Sequence, residues 1–219
     1  ANPLPLLDPL LDYLDWAGVA VFALSGALVA ATKKLTLVTF IFFAVVTGVG
    51  GGTVRDLLIG APVFWMHQNT TLIICVAAAL VVWASPASLW RGSTLLWLDA
   101  VGLGAYASFG AAKGLAFGVA PLPAIGMGVV TGCVGGIIRD LLADEPSILL
   151  RPELYVTAAF TSAALTVGLL LLGLPGMAAG LIAMAFQKFT GRILDNYENG
   201  YVVILAIASV AYLINLAII

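Results

Sequence analysis

Val45-Val-Thr-Gly-Val-Gly-Gly-Gly-Thr-Val-Arg-Asp-Leu-Leu58 and Val129-Val-Thr-Gly-Cys-Val-Gly-Gly-Ile-Ile-Arg-Asp-Leu-Leu142 are two versions of one segment. Ten of the fourteen positions are identical without a gap. Apolar bias alone does not keep a Thr-Gly, a Gly-Gly and an Arg-Asp in register, so the chain carries an internal repeat. The same shift of 84 residues aligns Asp15 with Asp99, Gly18 with Gly102, Gly26 with Gly110 and Pro62 with Pro146.

The surroundings of the repeat are those of a membrane protein. Of the 219 residues, 62% are hydrophobic and 9% charged. Soluble domains carry about 45–50% and about 25%. Too few charges remain to cover a soluble surface, and disorder needs the opposite composition. At roughly 20 residues per crossing helix the chain has room for about seven or eight spans. The runs are too long and too little alternating for barrel strands.

Charges and Pro/Gly clusters divide the chain. Residues 1–12 form an N-terminal segment, with no basic region ahead of an apolar core and so no cleavable signal peptide expected. Repeat one (13–85) holds spans near 13–31, 35–59 and 70–85. Repeat two (95–172) holds spans near 95–112, 117–142 and 154–172. A seventh span covers 177–194. The last apolar run, Tyr201–Ile219, follows the polar break Asp195–Gly200 and is either an eighth helix or an unusual terminus. The expected fold is therefore an all-α polytopic membrane protein of two three-helix repeats plus a seventh helix. Three spans is an odd number, so the second repeat should enter the membrane inverted, an arrangement common among transporters. Lys33, Lys34, Arg91, Arg151, Lys188 and Arg192 fall on one side and Lys113 on the other. The positive-inside rule then puts the N-terminus outside a bacterial-type plasma membrane.

Net charge is −2, which offers nothing to nucleic acid. Cys75 and Cys133 lie in apolar runs and read as buried free thiols. With one histidine, His67, no familiar metal site can be assembled. No nucleophile set for an enzyme is visible, and no cofactor is implied.

Chemistry is left to the repeated motif. Gly48, Gly51, Gly52 and Arg55 share one helical face, as do Gly132, Gly135, Gly136 and Arg139. Two readings compete. Small residues allow close helix packing. Alternatively the glycines, Gly50 included, break or kink the helix and expose carbonyls to a polar path, with paired interruptions marking a transport site. Arg55, Asp56, Arg139 and Asp140 are costly at membrane depth and should face the interior. Neighbours on a helix point about 100° apart. Pairing across the pseudo-twofold axis, Arg55 with Asp140 or Arg139 with Asp56, is therefore expected over pairing within each dipeptide. Asp15 and Asp99, matched at the starts of spans one and four, read as helix N-terminal charges or as a cation-attracting mouth. Lys113 reads as an interfacial lysine or as a movable charge near a pore. Ser25, Thr47, Thr53, Ser108 and Thr131 could line a path.

The doubled GG-x-x-RD-LL motif at Gly51–Leu58 and Gly135–Leu142, with Asp99, Gly110-Ala-Ala-Lys113 and Pro152-Glu-Leu-Tyr155, resembles the prokaryotic TRIC (trimeric intracellular cation) channel family over residues 10–194. The resemblance implies a homotrimer with one pore inside each protomer, conducting K⁺ and Na⁺ and embedded in membrane lipid. It implies that Gly48, Gly51, Gly52, Gly132, Gly135 and Gly136 line the pore at kinks of spans two and five. Arg55, Asp56, Arg139 and Asp140 would stand near the gate, and Lys113 would take part in gating. Bacterial relatives have also been assigned as glycine transporters, so a carrier for glycine or another small amino acid is the alternative on the same scaffold.

Overall fold

The structure, a computed structural model, describes residues 9–90, 94–147, 155–174, 178–183 and 185–186. Among them run six α-helices: α1 (Pro9–Thr32), α2 (Leu37–Leu58), α3 (Asn69–Ala84), α4 (Thr94–Ala116), α5 (Pro121–Leu142) and α6 (Tyr155–Leu171). Residues 178–183 and 185–186 are also helical. Most of the expected seventh span and all of Tyr201–Ile219 lie outside the described residues. The described elements are all helical, as a chain must be that satisfies its backbone within each segment in lipid.

The element bounds follow local chemistry. The fourth helix does not stop at Ala112, as its Lys-Gly pair suggested, but runs through Lys113 to Ala116. Lys113 has a buried partner and so need not leave the helix. The fifth starts at Pro121 rather than Phe117, because Gly118 takes the left-handed φ of +79° that closes α4 and proline suits a first helical turn. Helices α2 and α5 end alike. Gly60 (φ +68°) and its repeat equivalent Asp144 (φ +53°) follow the last turn. Ala61 N donates to Asp56 O at 2.9 Å and Glu145 N to Asp140 O at 3.0 Å. The carbonyls left over at each helix end are thereby satisfied where the Arg-Asp pairs stand.

Helix α1 packs against α2, α3 and α4, while α4 packs against α1, α5 and α6. Helix α2 meets α5 across the centre. The contacts repeat with the 84-residue shift. A Cβ at Gly18 would strike the ring of Tyr106, and one at Gly102 would fall 3.0 Å from the ring of its equivalent, Phe22. Phe22 and Tyr106 stack with centroids 5.3 Å apart. Gly26 presses on Phe43 O and Thr47; Gly110 presses on the equivalents Met127 O and Thr131. At the α2–α5 crossing, Gly51 abuts Thr131 O, and Gly135 abuts Thr47 O.

Both helices are continuous through their glycines. Of the break or kink expected at the glycines, the break is therefore corrected. The glycines let two backbones touch in a crossing that no Cβ would permit.

Candidate functional site: two buried charge clusters

The ends of α2 and α5 carry the only Arg-Asp dipeptides in the sequence. In the first cluster Arg55 and Asp56 are both fully buried. Arg55 Nε donates to Asp56 Oδ1 at 2.8 Å. The same carboxylate takes Lys113 Nζ at 2.8 Å. Its other oxygen, Oδ2, accepts the backbone N–H of Phe64 at 3.0 Å. Phe64 sits in a short 3-10 turn, Phe64–Met66. Its ring lies 5.7 Å from the Arg55 guanidinium carbon and 5.8 Å from Lys113 Nζ. Phe109 faces the same guanidinium at 5.1 Å. These are cation–π distances, and they strengthen where water is excluded. Trp65 anchors the turn by donating from Nε1 to Thr53 Oγ1 at 2.8 Å.

The second cluster is built differently. Arg139 Nε donates to Asp140 Oδ1 at 2.9 Å, and Nη2 pairs with the same carboxylate at 2.8 Å. Nη1 binds Asp99 Oδ1 at 2.6 Å and also Ser25 Oγ. Ser25 Oγ in turn donates to Asp99 Oδ1 at 2.7 Å. One cation therefore serves two carboxylates, whereas in the first cluster two cations converge on Asp56.

Lys113 and Asp99 mark opposite ends of α4, about 21 Å apart at 1.5 Å per residue. They pair with the ends of α2 and α5 respectively. The two Arg-Asp dipeptides thus lie at opposite ends of the bundle. This corrects the expected crossed pairs: Arg55 cannot reach Asp140, nor Arg139 Asp56. Each arginine instead curls its long side chain back onto the neighbouring aspartate, and the 100° between neighbours is no obstacle to a group of that length. At the α5 end, Lys33, just past α1, pairs with Glu145 at 2.7 Å.

Asp99 is 1% exposed and held by Arg139, so it does not form an open mouth. Asp15 is also buried, at 7% exposure. Lys113 is not a snorkelling lysine but an internal partner of Asp56. Gly48 lies against Cys75 Sγ and Val19 O, Gly50 against Ile138, Gly52 against the Phe64 ring, and Gly132 against Leu103. Gly136 is buried in α5. Both cysteines are free and buried, as expected.

Phe64, Phe109 and Tyr106 do not stand out in the sequence read residue by residue. Two of them carry a signal in the repeat: Phe109 occupies the position equivalent to Ser25, and Tyr106 that of Phe22. Tyr106 is buried in the centre and donates to Gly48 O at 3.0 Å.

Apolar helices in two matched halves, with ion pairs sealed inside each end, define a polytopic membrane protein. The profile of a family described as "Glycine transporter" matches residues 12–86 and again 96–170, one match per repeat. The chain belongs to this family, the TRIC family. A UPF0126 membrane protein of Vibrio cholerae is 43% identical over 160 residues, 69% of this chain and 65% of that protein. The chain thus spans somewhat less than two thirds of that relative. The UPF0126 inner membrane protein YadS of Escherichia coli is 41% identical over 153 residues, 68% of this chain and 73% of its own length. The solved TRIC trimeric intracellular cation channel orthologue from Rhodobacter sphaeroides superposes with a TM-score of 0.79 at 40% identity, over 85% of this chain and 97% of that one. This is a bacterial multi-pass membrane protein with the TRIC fold, and its solved relatives are channels rather than enzymes.

Proposed function

We propose that this chain is a passive channel for monovalent cations, K⁺ and Na⁺, working as a homotrimer with one path in each protomer. The observation that carries the reading is a set of buried polar atoms with no hydrogen-bond partner in the protein: Arg55 Nη1 and Nη2, Thr47 Oγ1 and Asp99 Oδ2. Thr47 lies two turns before Arg55 on α2 and against Gly26 of α1, next to Ser25, which holds Asp99. These atoms fall at both charge clusters and, with Thr47, midway along α2. Leaving such a group unsatisfied costs about 1–3 kcal/mol, so a series of them is consistent with a path for water and ions. The path runs beside the α2–α5 crossing that the glycines close, in repeats of inverted orientation. Here it is shut by the Phe22–Tyr106 stack and by the two ion-pair clusters. Separation of Lys113 from Asp56 is the step that opens the first end. Lys33 and Lys34 face the cytoplasm and the N-terminus lies outside. Support for conduction comes from the solved relatives, which are named cation channels.

The alternative is a carrier for glycine or another small amino acid, favoured by the description of the family. Purified protein in liposomes with a K⁺ gradient separates the two. The channel develops a K⁺ diffusion potential without glycine and loses it in Gly52→Leu. The carrier shows no K⁺ potential but exchanges labelled glycine saturably.

A further inference from the structure

Arg55 and Arg139 occupy one position of the repeat, yet they are satisfied differently. Arg139 uses Nε, Nη1 and Nη2 on Asp140, Asp99 and Ser25. Arg55 uses Nε alone, on Asp56, and both of its terminal nitrogens are buried without a hydrogen-bond partner. The cause is legible in the repeat. Where the second cluster has the hydroxyl of Ser25, the first has the ring of Phe109, which offers a face but no acceptor. Asp15, the equivalent of Asp99, is buried at the same end of the bundle, but neither terminal nitrogen hydrogen-bonds to it.

The surroundings define what those nitrogens can take. Phe64 and Phe109 contact the guanidinium and Lys113 adds a second positive charge beside it. The two terminal N–H groups form the planar fork that a carboxylate fills with two parallel hydrogen bonds. Phe64, which helps wall the site, is carried by a short turn rather than by a long helix, and the turn is held by two hydrogen bonds, Phe64 N to Asp56 Oδ2 and Trp65 Nε1 to Thr53 Oγ1. A ligand would enter by displacing that turn, which breaks the Phe64–Asp56 and Trp65–Thr53 hydrogen bonds and lifts the two rings off the core while the long helices stay in place.

We infer that Arg55, walled by Phe64 and Phe109, is a binding site for a small monocarboxylate, taken through Nη1 and Nη2. The site lies on the proposed path and so rests on that reading for its consequence, though not for its chemistry. Two cations, Arg55 and Lys113, and two carboxylates, Asp56 and Asp15, already stand at this end, so a bound carboxylate leaves it with one net negative charge. In a cation channel it favours cation entry; in an amino-acid carrier it is the anchor for the solute's carboxylate.

The test is the thermal unfolding midpoint of the purified full chain in detergent. Sodium acetate replaces sodium chloride at constant ionic strength, and glycine is titrated separately. A ligand that binds only the folded state raises the midpoint saturably. The wild type is expected to respond to acetate. In Arg55→Lys, which keeps the charge but loses the fork, the apparent affinity should fall about tenfold or more. In Phe109→Ser the new hydroxyl engages the guanidinium as Ser25 engages Arg139, and the response should weaken likewise. Lys34→Gln, on the exposed turn after α1, should respond as wild type. No saturable rise with acetate in folded wild-type protein, or an equal rise in folded Arg55→Lys, overturns the site. If Arg55→Lys does not fold, an undiminished response in Phe109→Ser overturns it instead. Potassium flux is recorded on the same preparations. The acetate response can vanish while flux persists, which separates failure of this site from failure of the channel reading.

Discussion

Gly51→Ala tests the packing on which the whole arrangement depends. A single methyl at Gly51 points at the carbonyl oxygen of Thr131 on α5, and no side-chain rotation relieves it, because the obstacle is backbone. The helices would have to part by roughly 1 Å to restore van der Waals separation. Overpacking of this kind costs about 1–3 kcal/mol. The upper half of that range is expected, since both partners belong to long continuous helices. Gly135→Ala meets Thr47 O and should cost a similar amount. Both methyls wedge the same crossing, so the double variant should cost clearly less than the sum, as coupled neighbours do. Gly126 on α5 is the internal control: nothing lies within 4 Å of a Cβ there, and Gly126→Ala should be neutral or slightly stabilising. The assay is reversible unfolding in mixed micelles, read by circular dichroism. If Gly51→Ala and Gly135→Ala each fall within about 0.5 kcal/mol of wild type, as uninvolved surface positions do, the helices are not in backbone contact and the reasoning fails.

Arg139→Gln leaves Asp99 and Asp140 buried without their cation and should destabilise by about 3–5 kcal/mol; unfolding midpoints within error of wild type would contradict the second cluster. A double-mutant cycle on Asp99 and Arg139 should show strong coupling, while a cycle on Arg55 and Asp140, at opposite ends of the bundle, should show none. Lys113→Met should release the Asp56 clasp and alter how often the path opens, read as a changed rate of K⁺ flux at equal protein density. The native thiols are buried, so cysteine accessibility reports orientation cleanly. A thiol placed at Lys34 should react with a membrane-impermeant reagent only from inside, and one at the exposed Gln68 only from outside.

Much of this arrangement is legible in the sequence. The 84-residue shift placed matched residues in matched contacts, down to the exchange of Gly51–Thr131 for Gly135–Thr47. The six described helices fall where the apolar runs and their breaks put them, within a few residues. Pairing was the part that composition and spacing could not supply. The two Arg-Asp dipeptides pair with opposite ends of α4, as an inverted arrangement of the repeats would require, whereas the crossed pairs are what the angle between neighbouring side chains suggests. Reach decided the outcome: a guanidinium on three methylenes turns back through 100° without strain. Phe64 was invisible for another reason. Nothing in Val63-Phe-Trp-Met says that one ring of an interfacial turn will fold inward over Gly52 and Arg55. Phe109 could have been found by asking where the two repeats differ as well as where they agree.

The central claim is that ions cross this protein without a coupled solute. Current through the reconstituted chain in a planar bilayer under a KCl gradient addresses it most directly. The account predicts discrete, glycine-independent currents that reverse towards the K⁺ equilibrium potential. Folded protein that passes no current in the bilayer, yet exchanges labelled glycine when placed in liposomes, would contradict it.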